Sequence, residues 1–565
     1  MTIEKLISYA KGDIPLNILI KNVNVINVLS GEIHKENVGI ADGIFIGFGD
    51  YNADKIIDAD GKYMVPGLIE GHIHIESTLL SPIEFAKIAS EHGTATIICD
   101  PHEIANVLGI DGIKYMLDST KNMPIEFYFM APSCVPATNL ETSGAFIDAA
   151  DISQLLKKYP DRFLGLAEMM NFPGVIMQDV AILQKIKVAS DKIIDGHCPL
   201  LSGKDLNAYI IAGPKSEHEA SVLSEAKEKL GKGMHLFIRE GSTAKNLKDL
   251  IPIINDFNAS NISLVSDDRH TFDFKTKGHL DYSVKKAISL GLNPIRAIQM
   301  ASINTARFFG LKKQGAIAPG FKADFMLMDD LDSFKIYDVY LKGIRINDID
   351  FSIFLSPHPS NSMNVKKLTT SSFKIHSKDG KINVIEVIEG QILTKSLEIK
   401  PKIINNLCEA DAEKDISKLA VIERHHGTGN IGLSFIKGLK MKRGAICSTV
   451  AHDSHNLIVA GMNDNDMLLA CRECISQGGG FVAANNGKIL AKMALPIAGL
   501  MSDKPINSVI TEQKNIDDAC KKICDIDNPF MTLSFLSLPV IPFLKLTDKG
   551  LVDVENFKII EIYSE

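Results

Sequence analysis

The chain has 565 residues, which at roughly 100–200 residues per domain is enough for two to four domains with substantial cores. Its 45% hydrophobic and 23% charged composition is that of an ordinary globular protein and excludes wholesale disorder or a fibrous repeat. Lys and Arg total 61 against 69 Asp and Glu, and the resulting net charge of -8 argues against a general affinity for nucleic acid or an anionic membrane.

The first residues, MTIEKLISYAKGDIPLN, lack the basic and apolar regions of a secretory signal, and no run of about eighteen apolar residues follows. A soluble, cytoplasmic protein is therefore expected. Residues 18–64 alternate Val and Ile with polar positions between Gly- and Asn-rich turns, the pattern of short antiparallel strands. The same texture returns over 315–346. We therefore expect a small composite β domain of residues 1–66 and 311–365, with the stretch 67–310 inserted in it.

Within the insert, eight short apolar runs alternate with helix-like stretches: MVPGLIEGHIHI, ATIICDPHE, IEFYFMAPS, FLGLAEMMN, KIIDGHCPL, the weaker SEHEAS, MHLFIREGS and ISLVSDDRH. Their spacing of about 20–40 residues suits βα units, and the total suits a (β/α)8 barrel. One helix is signposted by Ser81 as N-cap, Pro82 at its first position and Gly93 as C-cap. From 366 to 565 a further α/β domain is expected. The nine cysteines include two close pairs, Cys471/Cys474 and Cys520/Cys524. Both read as reduced thiols one helical turn apart rather than as a disulfide framework or a zinc site.

Polar residues gather at the carboxyl ends of the proposed strands, where barrel enzymes place their chemistry. They are His72 and His74; Asp100, His102 and Glu103; Glu168; His197; His218 and Glu219; and Asp267 and Asp268. His72 and His74 lie two apart, so on a strand both point to one side and can share a metal ion. An imidazole and carboxylate set of this kind suits divalent zinc, manganese or iron.

The order HxH, acid, His, His, Asp over eight strands resembles the amidohydrolase superfamily. The strings VPGLIEGHIHIEST, DPHEIANVLG, GLAEMMNFPGV, DGHCPLLSGKDLNAYI and VSDDRHT, with ERHHGTGNIG and TVAHDSHN near the C-terminus, resemble its bacterial adenine deaminase family over nearly the whole chain. The resemblance implies that His72, His74 and Asp267 bind one metal and His197 and His218 a second. Glu168 takes the bridging position that a carboxylated lysine fills in many superfamily members. It also implies a binuclear centre of Mn or Fe, with Zn tolerated, and hydrolytic deamination of adenine to hypoxanthine and ammonia in purine salvage. Another amidohydrolase reaction, such as cyclic amide hydrolysis or amino-sugar deacetylation, is the alternative.

Adding water at C6 needs an activated nucleophile, which divalent cations provide by lowering the pKa of water toward about 7. A carboxylate must then relay its proton, and Asp267 is the expected shuttle. For protonating the ring nitrogen, Glu219 is the leading candidate and Asp268 the next; orienting His218 is the other reading of Glu219. Ser202 and Asp205 read as a helix cap and first turn. The cluster His425, His426, His452 and His455 offers a third metal site, a lid over the active site, or local hydrogen bonding only. The expected partners are adenine and water, with neither nucleic acid nor membrane, and self-association into a homo-oligomer is reasonable.

Overall fold

The computed structural model describes residues 2–242, 244–357, 362–389 and 391–564. Strands from both flanks of the insert share one eight-stranded sheet: Leu16–Asn27, Glu32–Ala41, Ile44–Phe48, Ala53–Asp58 and Tyr63–Pro66 before it, and Phe325–Met328, Ile336–Leu341 and Ile344–Arg345 after it. The seam is the antiparallel pair in which Phe325 lies opposite Pro66 and Met328 opposite Tyr63.

The insert supplies eight parallel strands: β1 (Leu68–Ile73), β2 (Thr94–Cys99), β3 (Glu126–Ala131), β4 (Phe163–Met169), β5 (Ile193–Gly196), β6 (Ser216–Glu217), β7 (His235–Arg239) and β8 (Ile262–Val265). Every residue of β1, β2, β7 and β8 is buried. That follows from helices covering a parallel sheet outside while side chains fill it inside, so these strands read as unbroken apolar runs. β1 to β5 form one sheet and β6 to β8 another. The Lys215 N–H donates to the Ile194 carbonyl at 2.9 Å, and a parallel bridge joins Ile73 to Asp267, so the two sheets curl into one ring. β6, the weakest run in the sequence, is only two residues long. Gly165 on β4 is required by this closure, because a Cβ there would stand 1.8 Å from the Ile193 carbonyl oxygen.

Helix Pro82–Glu91 starts as expected, with Ser81 accepting the Glu84 N–H. His92, not Gly93, caps its end; Gly93 follows at φ +75, the left-handed conformation that glycine takes without cost. Ser202 sits at the N-cap of helix Gly203–Ala212 but its side chain makes no capping bond. Asp205 does lie in that helix's first turn.

The C-terminal part is dominated by a second eight-stranded sheet with Thr394–Ile399 at one edge and Lys488–Ala494 at the other, overlaid by helices Asp464–Ser476 and Ile506–Cys520. All nine cysteines are buried and unbridged. Cys471 and Cys474 share a helix as expected, whereas Cys524 lies beyond the helix that ends at Cys520. This part is fastened to the barrel mouth by several bonds. The His426 ring meets the Ser143 carbonyl at 2.9 Å, the Asn456 amide donates to Thr142, and the Ser502 N–H donates to Leu79.

Candidate metal centre

Closure of the ring brings the carboxyl ends of β1, β4, β5, β6, β7 and β8 together. Glu70 on β1 accepts the backbone N–H groups of His72 and Ser266, pinning β1 to β8 directly beneath the site. His72 donates its Nδ1 proton to Asp195 Oδ2 at 3.0 Å. Its Nε2, the lone-pair nitrogen of the neutral ring, is buried and without a hydrogen-bond partner, 3.8 Å from Asp267 Oδ1 and 4.0 Å from Glu168 Oε1. His74 donates Nδ1–H to the Asp100 carbonyl at 3.1 Å and directs Nε2 to the same two oxygens, each at 3.3 Å.

Glu168 stands between two groups of donors. Its Oε1 faces His72 and His74, while its Oε2 lies 2.6 Å from His197 Nδ1 and 3.3 Å from His218 Nε2. Nitrogen and oxygen atoms of His72, His74 and Asp267 lie within 4.8 Å of one another, as do those of His72, Glu168 and His218, and those of His197, His218 and Glu219. The fit to divalent cations is good. His72 and His74, each with its far nitrogen committed to a carboxylate or carbonyl, have the usual arrangement of metal-ligating histidine, and the buried, unpartnered His72 Nε2 is a donor atom that protein groups leave unsatisfied.

So many buried ionisable groups are tenable only if paired. Burial opposes charging His74, but Asp267 and Glu168 outweigh it and hold its pKa well above the ordinary value. Burial likewise disfavours ionised Glu168, yet His197, His218 and His74 hold its carboxyl well below the usual range. For Asp267 the burial cost is overcome chiefly by Arg239, whose Nη1 donates to Asp267 Oδ2. Asp267 also adopts φ +56, an uncommon conformation that aspartate tolerates better than most residues.

Arg239 grips Glu219 as well, with Nη1 and Nη2 at 2.6 and 2.7 Å from its two oxygens. Burial works against the Glu219 charge, but Arg239 and then His197 drive its pKa far down. The bidentate pairing with Arg239 favours the ionised form of Glu219. Glu219 lies 3.4 Å from His218 Nε2 and 3.6 Å from His197 Nδ1. Asp268 accepts the Ser77 hydroxyl at 2.5 Å.

His102, held by Asp100 Oδ2 at 3.0 Å, places Nδ1 3.8 Å from Glu168 Oε1. From the C-terminal part, His452 and His455 both reach Glu103, whereas His425 binds the Ser454 carbonyl and His426 the Ser143 carbonyl. Sequence reasoning singled out neither Asp195 nor Arg239. The available signals were an acid two residues before His197 on β5 and an arginine ending the apolar run of β7.

Residues 63–346 match the model of the amidohydrolase family, and residues 391–558 match that of the adenine deaminase C-terminal domain. Similar relatives include an adenine deaminase of Oleidesulfovibrio alaskensis, 49% identical over 100% of this chain and 99% of its own length. Another, from Desulfatibacillum aliphaticivorans, is 44% identical over 99% of both chains, and a third, from Dehalococcoides mccartyi, is 45% identical over 99% of both.

Proposed function

The chain belongs to the amidohydrolase family and, over its whole length, to the adenine deaminases within it, and from this premise we propose that it hydrolyses adenine to hypoxanthine and ammonia in cytoplasmic purine salvage. The observation that carries the reading is Glu168, whose two oxygens face two separate donor groups. We assign His72, His74 and Asp267 to one divalent cation, His197 and His218 to the other, and Glu168 to the bridge. Once bound, such cations supply Lewis acidity that brings the pKa of water toward about 7. The donors are nitrogen and oxygen without thiolate, which suits manganese or iron and tolerates zinc. The same reading extends to self-association into a homo-oligomer.

The chain's own groups orient this chemistry. Asp195 fixes the His72 tautomer, and the Asp100 carbonyl fixes that of His74. Asp267 presents Oδ1 to the cluster while Arg239 holds Oδ2, and this oriented carboxylate is the group we assign to take the proton of the attacking water and pass it to the departing amine. Glu219, ionised by Arg239, serves to orient His197 and His218. The buried walls exclude bulk water, which strengthens each of these interactions.

The test is ammonia release from adenine, after metal removal and after separate return of Mn, Fe or Zn, with His74→Ala as control. Metal-dependent release from adenine, but not from adenosine or cytosine, is expected. No release with metal content verified by elemental analysis refutes adenine as the substrate.

A further inference from the structure

The stretch 451–456 of the C-terminal part is wholly buried against the barrel mouth. His452 Nδ1 donates to Glu103 Oε1 at 2.5 Å and His455 Nε2 donates to Glu103 Oε2. The Ala451 N–H donates to His455 Nδ1 at 3.1 Å, which fixes the proton of that ring on Nε2. With no lone pair on Nε2, the trio is a hydrogen-bonded clamp rather than a cation site. Its loop is held further by the His452 N–H on the Ser534 carbonyl and by the Ser537 hydroxyl on the His452 carbonyl.

Between the two clamping histidines sits Asp453, 2% exposed, with Oδ2 buried and without any hydrogen-bond partner. A buried carboxylate oxygen left unpaired is costly and calls for a partner from outside the protein. Its neighbour His452 binds Glu103, whose Oε1 lies 3.6 Å from His102 Nε2, and His102 Nδ1 lies 3.8 Å from Glu168 Oε1, so the loop that carries Asp453 is seated beside the metal-binding cluster. A cavity of about 40 Å3 lies between the domains, bounded by Ser77, Leu79 and His270 of the barrel and by His452, Phe481 and Phe530 of the C-terminal part. It touches the clamp on one side and the Ser77 that holds Asp268 on the other. This cavity beside the clamp is flanked by a stacked Phe481–Phe530 pair at 4.6 Å, whose flat apolar faces suit a heteroaromatic ring.

We propose that Asp453 is a substrate-contacting residue donated by the C-terminal domain, its free carboxyl oxygen accepting a hydrogen bond from an N–H of the bound purine base. Glu103, His452 and His455 are then positioning residues that hold it over the cluster. The inference rests on the adenine reading above.

Asp453→Asn and Asp453→Ala in the full-length, metal-loaded protein test it. Three quantities are read: kcat/KM for adenine, metal content, and hypoxanthine affinity by equilibrium dialysis. Loss of a hydrogen bond to a charged group predicts a fall of roughly 10- to 100-fold in both kcat/KM and hypoxanthine affinity, with metal content and thermal midpoint kept. Should the alanine variant fail to fold, the isosteric asparagine variant decides. Hypoxanthine affinity and kcat/KM within about threefold of wild type, or losses explained by missing metal, overturn the inference while leaving the deaminase reading intact. A wild-type protein inactive on adenine overturns both.

Discussion

Asp195→Asn is the sharpest test of how the centre is organised. Asp195 Oδ1 accepts both the Gly196 N–H, at 3.0 Å, and the Ser216 hydroxyl, while Oδ2 takes the His72 proton. The Gly196 donor is backbone and cannot turn, so an asparagine must place its carbonyl oxygen at the Oδ1 position. Its NH2 then falls against His72 Nδ1 and donates to it. That forces the His72 proton onto Nε2, the nitrogen that faces Glu168 and Asp267, and removes the lone pair offered to a cation. Loss of an orienting partner of this kind typically costs 10- to 100-fold in metal affinity or activity, which is about 1.4–2.7 kcal/mol. Asp195→Ala removes the orienting bond but leaves the imidazole free to choose its tautomer, so it should weaken metal binding less than the isosteric asparagine does. Metal content after graded chelation, read beside kcat/KM, measures both. Wild-type metal affinity and kcat/KM in Asp195→Asn would refute the tautomer argument, and an alanine variant weaker than the asparagine one would refute the steering by Gly196.

Arg239→Met leaves Glu219 and Asp267 as buried carboxylates without their cation, and urea unfolding of the metal-free protein should show a loss of about 3–5 kcal/mol. Both acids are depressed in the folded state, so the stability they contribute is fully present above the ordinary carboxylate pKa of about 4 and is lost as pH falls below it; that acid-side loss should shrink in the variant. Lys545, wholly buried and donating to the Ile392 and Phe535 carbonyls, is pushed down by burial to about 7. The unfolded chain then holds the extra proton between about pH 7 and 10, so stability should rise with pH across that window by up to about 1.4 kcal/mol per unit. Lys545→Met should flatten the slope, and an unchanged pH profile in that variant would count against a neutral buried lysine.

Much of the barrel was legible because its strands are covered on both faces. Continuous apolar runs bounded by turn residues announced β1 to β5, β7 and β8, and only β6, with two paired residues, left a faint trace. The helix at Pro82 was legible down to its capping serine because a cap is a local bond over three residues. Its end was displaced by one residue, since whether His92 or Gly93 closes the last turn depends on the carbonyls above it. The composite sheet was visible as two stretches of like texture, though the pairing of Phe325 with Pro66 depends on where the intervening ring returns the chain.

The histidines and acids at successive strand ends belong to the sequence alone, because a period of two residues on a strand and one strand per βα unit determine which side chains point into a common mouth. Which of them touch was decided only by the tertiary structure. Asp195 holds His72 across 123 positions, Arg239 joins Glu219 to Asp267, and His452 finds Glu103 across 349. A buried charge must be matched somewhere, and that requirement is written in the composition of the site. The identity of the match is not, because closing the ring and docking the C-terminal part bring together groups whose separation along the chain carries no information about their distance in space.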